Sequence, residues 1–128
     1  MRLRFAPLVL LALLLALPGS ALAEKKEEGT YVAIDTLTAT VLAGNGNHQI
    51  MTVQAGVDVP DKALRDYAER LTPRLQDAYV QVLQLYAGGL VPGAPPDADY
   101  VARRLQEATD RVLGKPGGKF LIGGIMIN

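Results

Sequence analysis

Two alternating runs flank Gly44-Asn45-Gly46-Asn47, and no other feature limits the fold of this chain so closely. In "TYVAIDTLTATVLA", Leu37, Ala39 and Val41 alternate with Thr36, Thr38 and Thr40. In "HQIMTVQAGVDV", Met51, Val53, Ala55, Val57 and Val59 take one face, with Gln54, Gly56 and Asp58 on the other. Period two with valine and threonine predicts half-buried strands. Glycine and asparagine tolerate positive φ, so "GNGN" predicts the turn of an antiparallel hairpin.

The pattern then changes period. Pro60 ends the second strand and Asp61 is placed to cap a helix. Leu64, Ala68, Leu71, Leu75, Ala78, Val82 and Leu85 recur at spacings of four and three, which predicts a helical core face. After Pro73 that face widens to include Tyr79, Leu83 and Tyr86. Pro73 lacks the N–H that would bond the carbonyl of Glu69, and its ring disfavours helical angles at Thr72. Thr72 is a suitable N-cap, and proline suits a first helical position. The expectation is two segments, about 61–71 and 73–86, nearly collinear, in phase and sharing one buried face.

"AGGLVPGAPPDADY" predicts a loop. Asp97 or Asp99 can cap a further helix running to about Leu113, with Val101, Leu105, Ala108 and Val112 as its stripe and Gly114 as its stop. "KFLIGGIMIN" closes the chain as a strand, apolar on both faces, with Gly123 and Gly124 marking a bulge or close approach. The order β-β-α-α-β predicts an α+β domain: a small antiparallel sheet with helices on one face. The simplest arrangement pairs the last strand with the first, leaving the last at an edge. An apolar edge needs a cover or a partner, so Phe120, Leu121, Ile122, Ile125, Met126 and Ile127 are candidate subunit or partner contacts.

The first 23 residues read differently. Arg2 and Arg4, an apolar run from Phe5 to Leu17, the breaker Pro18-Gly19 and the ending Ala21-Leu22-Ala23 predict a secretory signal peptide cut after Ala23. The apolar run spans only about 20 Å of a bilayer core about 30 Å thick. Residues 24–29 then form a charged tether, and 30–128 a single domain in the periplasm, with an uncleaved inner-membrane anchor as the alternative. A membrane contact is expected only if the segment stays uncleaved. Without the signal, 11 basic and 13 acidic residues remain, which is not the basic footprint of a nucleic-acid binder.

The usual chemistry of catalysis is sparse. There is no cysteine, and the one serine, Ser20, falls in the signal. His48 is the sole histidine and has no partner ligand for a metal in the sequence. Asp58 with Asp61, and Asp97 with Asp99, flank prolines at predicted helix starts, where capping is their natural role. The expectation is a non-enzymatic protein without cofactor or metal.

Three segments carry a family resemblance. "YVAIDTLTATVL" looks like the opening of the FliL family, an aromatic followed by a short strand. "LTPRLQDAYVQVL" is similar to that family's helix start, with Pro73, Leu75, Asp77 and Ala78 in place. "IMIN" is similar to its closing apolar strand ending in an amide. From Tyr31 to Asn128 the chain resembles the periplasmic domain of these flagellar basal-body proteins, which associate with the stator. The resemblance implies a stomatin-like fold and assembly with copies of itself or with a flagellar partner in support of motility. Family members usually carry a transmembrane anchor where this chain carries a signal-like segment. The alternative is a soluble periplasmic binding or adaptor protein unrelated to flagella, with a pocket between helices and sheet.

Overall fold

The computed structural model describes residues 29–128, so the signal-like segment and tether residues 24–28 lie outside the described residues. The elements are β1 (Tyr31–Ala33), β2 (Leu37–Leu42), β3 (His48–Asp58), α1 (Lys62–Arg70), α2 (Thr72–Gly88), α3 (Ala98–Leu113) and β4 (Lys119–Ile127). The fold is α+β, an antiparallel four-stranded sheet with three helices. The predicted hairpin forms: β2 pairs with β3 from Leu37↔Val53 to Leu42↔His48. The Ala43 N–H bonds the Asn47 carbonyl, and Gly46 takes φ 88°, as the turn requires.

The last strand corrects the expected pairing. β4 pairs with β3, from Met51↔Ile127 to Asp58↔Lys119, and not with the first strand. The central strand β3 thus carries β1 and β2 on one edge and β4 on the other. The cause is the helix layer. α2 lies on β2 and α3 lies beside α2, so the chain leaving α3 descends at the far edge of β3. Gly114 at φ 79° and Gly117 at φ 131° make that descent.

The expected first strand is two strands. Ala33 pairs with Gly56 but Leu37 pairs with Val53, so the chain gains a residue over Ile34–Thr36. The inward positions shift from Val32 and Ile34 to Leu37, Ala39 and Val41. The backbone of Asp35 is met from outside the sheet. The Gln76 amide on α2 accepts from the Asp35 N–H and donates to its carbonyl, both at 3.2 Å. β4 has the predicted bulge at Gly123: Gln54 pairs with Gly124 and Ala55 with Ile122.

Pro73 splits the helix as expected, but with different caps and a different buried face. Leu71 is the N-cap of α2, and Thr72 is already helical. The Thr72 hydroxyl donates backward to the carbonyls of Glu69 at 2.9 Å and Ala68 at 3.3 Å. It thereby meets the carbonyl that Pro73 leaves without its helical donor. The expected stripe loses phase beyond this joint. Leu75, Tyr79, Leu83 and Ala87 are buried, Ala78 and Val82 are half-buried, and Leu85 is 79% exposed. The widened half of the face has become the core because Tyr79 reaches both α3 and β4. Its hydroxyl lies 2.6 Å from Thr109 Oγ1, and its ring meets Phe120 edge-on at 5.1 Å.

The core lies between the helices and one face of the sheet. From the sheet it takes Val32, Leu37, Met51, Val53, Val57 and Phe120; from the helices, Leu64, Leu75, Leu83 and Leu105. Asp61 and Asp97 cap α1 and α3 by accepting from the N–H of Leu64 and Tyr100. Among the described residues, no helix is long and apolar enough to cross a membrane.

Candidate interaction surfaces

β4 is the edge the sequence singled out, and the structure divides its residues by direction. Phe120 is buried in the core, while Ile122, Ile125 and Ile127 are half-buried against it. Leu121 and Met126 point to the other face of the sheet, 36% and 53% exposed. The bulge produces this division. It lets Phe120 and Ile122 before it, and Ile125 and Ile127 after it, all face the helices.

The backbone of β4 has one satisfied edge and one largely open edge. Asn128 and Ile50 exchange both backbone bonds, so in an antiparallel ladder Met126 and Gly124 also bond toward β3. The N–H and C=O groups of Ile125 and Ile127 therefore point outward. At the other end a side chain closes the edge. Gln106 on α3 accepts from the Phe120 N–H at 2.8 Å and donates to the Gly118 carbonyl at 2.7 Å. This amide occupies the place a neighbouring strand would take. No such side chain serves Ile122, Ile125 or Ile127 among the described residues. From Phe120 to Ile127 there is also no charged residue or proline, the usual guards of an exposed edge.

Two clefts border the same strand. One, about 430 Å³, lies beside the bulge and is lined by Tyr31, Ile34, Gln54, Leu121 and Gly123. The Tyr31 ring lies over Gly56, where an added Cβ would strike it, and its hydroxyl donates to the Ala55 carbonyl at 3.3 Å. The other cleft, about 340 Å³, lies between the α2–α3 loop and the end of the sheet, lined by Leu42, Leu90, Pro95, Pro96, Ile125 and Ile127. The open sheet face adds Ile50, 46% exposed, beside the end of β4, and Leu42, 42% exposed, at the far end of β2.

The remaining singled-out residues have structural partners or none. Thr72 and Pro73 form the helix joint. Asp61 and Asp97 cap helices, and Asp58 accepts from the Thr30 hydroxyl. No cluster of three or more histidine, cysteine or acidic side chains with metal-ligand spacing occurs among the described residues. Among the described residues, the one strongly perturbed titrating group is Tyr79. Burial pushes its phenol up to about 12, with a small upward push from the Asp110 carboxylate, against the lowering effect of the Thr109 bond. It lies in the core and faces no cleft.

Sequence reasoning passed over Gln76 and Gln106, because the role of a polar residue on a helix depends on what backbone lies opposite. It also placed Ala78, Val82 and Leu85 in the core, whereas they line an outer groove between α2 and α3. In comparison with known proteins, no family model matches the chain and no curated protein matches it.

Proposed function

We propose that this protein is a non-enzymatic assembly module of the periplasm, acting as the similar FliL domains do, by joining copies of itself at a flagellar basal body. The observation that carries this reading is the open edge of β4. A row of outward N–H and C=O groups on an open edge is a template for a partner strand. A second copy supplies one by running antiparallel to the first. With Ile125 of one copy opposite Ile127 of the other, every outward backbone group of both residues is satisfied in both copies. Met126 then faces its own symmetry mate. The absence of charge from Phe120 to Ile127 means that such a two-fold pairing meets no like-charge repulsion.

The motility part of the reading is tested in the cell. Deleting the gene is expected to shrink swimming rings in soft agar, more so in viscous medium. Rings of normal size in both would remove the flagellar role while leaving the assembly itself to be judged by mass measurement.

A further inference from the structure

The outer groove between α2 and α3 has a character the β4 edge lacks. It holds about 480 Å³ and runs along α2 from Arg74 to Leu85. At 1.5 Å per residue that is roughly 16 Å, or about three helical turns. Its floor is Ala78, Val82 and Leu85 on α2, with Val112 on α3. Those α2 positions are i, i+4 and i+7, a continuous ridge on one helix face. Leu85 stands 79% exposed at the end of this ridge. Isolated exposed leucines are ordinary, but this one continues an apolar row in a concave site.

The rim is basic. Arg74 borders the groove from α2, and Arg104 and Arg111 border it from α3. Asp77 is the one carboxylate in its lining, and its side chain accepts from Gln81. Arg104 has Glu107 beside it at 3.6 Å on an exposed face. Among the described residues neither Arg74 nor Arg111 forms an ion pair. Arginine forks of this kind suit carboxylates in two-point contact. Near Leu85, the Tyr86 and Tyr100 rings stack at 5.7 Å. They give the end of the groove a firm aromatic wall, because the Tyr86 hydroxyl is tied to the Asp97 N–H at 2.7 Å.

We propose that this groove docks an acidic amphipathic helix of a partner protein. The shape favours a helix: a third helix laid between α2 and α3 sets its apolar ridge into the groove and extends the helix layer. The charge favours acidic flanks, which meet Arg74 and Arg111 at one end and Arg104 at the other. A flat anionic membrane would reach the arginines but not the floor at Ala78 and Val82. A second copy docked groove to groove about a two-fold would meet the arginines with its own. The proposal concerns a surface apart from the β4 edge and stands whether or not that edge assembles.

The test uses the purified protein and a fluorescent synthetic peptide of about 18 residues, long enough to hold a helix, with leucines on one face and glutamates on the others. Its counterpart has lysine in place of each glutamate. Anisotropy titration is expected to show saturable binding of the glutamate peptide, at least ~10-fold weaker binding of the lysine peptide, and weakening by added salt. Arg74→Glu with Arg111→Glu, and separately Leu85→Gln, are expected to weaken the glutamate peptide at least ~10-fold, or about 1.4 kcal/mol. All three side chains are exposed, so the thermal melts of these variants should match that of the parent. Equal affinity for the two peptides, or indifference to both variants, would overturn the proposal. So would co-sedimentation with phosphatidylglycerol vesicles that depends on Leu85 and the arginines while the peptide fails to bind. A loss of self-association mass in Leu85→Gln would also overturn it, by showing that a second copy fills the groove.

Discussion

Tyr79 ties three elements together, and its hydroxyl bond has an assigned direction. Thr109 has one proton, which it gives to the Leu105 carbonyl at 2.8 Å, so Tyr79 is the donor in the 2.6 Å bond between the two hydroxyls. Thr109→Val keeps the shape but removes the acceptor. It leaves a fully buried phenol unsatisfied and is expected to lower unfolding free energy by about 1–3 kcal/mol in urea titrations. The raised pKa gives Tyr79 a pH signature as well. Its stabilising contribution is complete below the unfolded value near 10 and is lost as pH rises toward about 12. In that window the unfolded phenol ionises first. The loss across it amounts to about 2–3 kcal/mol. Tyr79→Phe is expected to be less stable than the parent at pH 8, with the gap narrowing from pH 10 upward. A constant gap between pH 9 and 12 would contradict the account.

At the scale of elements, each of the two long helices sends a glutamine to a sheet edge. Gln76 closes the jog between β1 and β2, and Gln106 closes the start of β4. Gln106→Ala is expected to cost about 1–2 kcal/mol, since two part-buried backbone groups lose their partner. Hydrogen exchange checks it locally: the Phe120 amide should exchange much faster in the variant while Leu121, bonded toward β3, changes little. These roles were not legible in sequence, because they join residues 41 and 14 positions apart. The jog was legible and was passed over. Val32 and Ile34 are apolar at even positions and Leu37, Ala39 and Val41 at odd ones, and a switch of parity inside a strand marks an extra residue. The hairpin, the Gly123 bulge, the Asp61 cap and the Gly114 stop were read correctly, because each rests on local backbone chemistry. The helix face beyond Pro73 was not. Two stripes share α2, and periodicity cannot say which of them meets the sheet; the contacts of Tyr79 with Thr109 and Phe120 turn the Tyr79, Leu83 and Ala87 stripe inward.

At the scale of the molecule, one helix layer covers one sheet face; the other face, the β4 edge, the outer edge of β2 and the α2–α3 groove are left open among the described residues. The β4 edge carries the central claim. It was marked by the apolar run in the sequence, but which groups it offers depends on a pairing with β3 that the order of strands alone did not reveal. Light scattering coupled to gel filtration, on the parent protein and on Met126→Lys, tests the claim most directly. Met126 is 53% exposed, so lysine there leaves the core intact while placing two like charges opposite each other at the proposed two-fold. The account predicts a dimer or larger assembly for the parent at tens of micromolar and a monomer of unchanged melting temperature for the variant. A parent that is monomeric at those concentrations, or a variant that keeps the parent's mass, would contradict it.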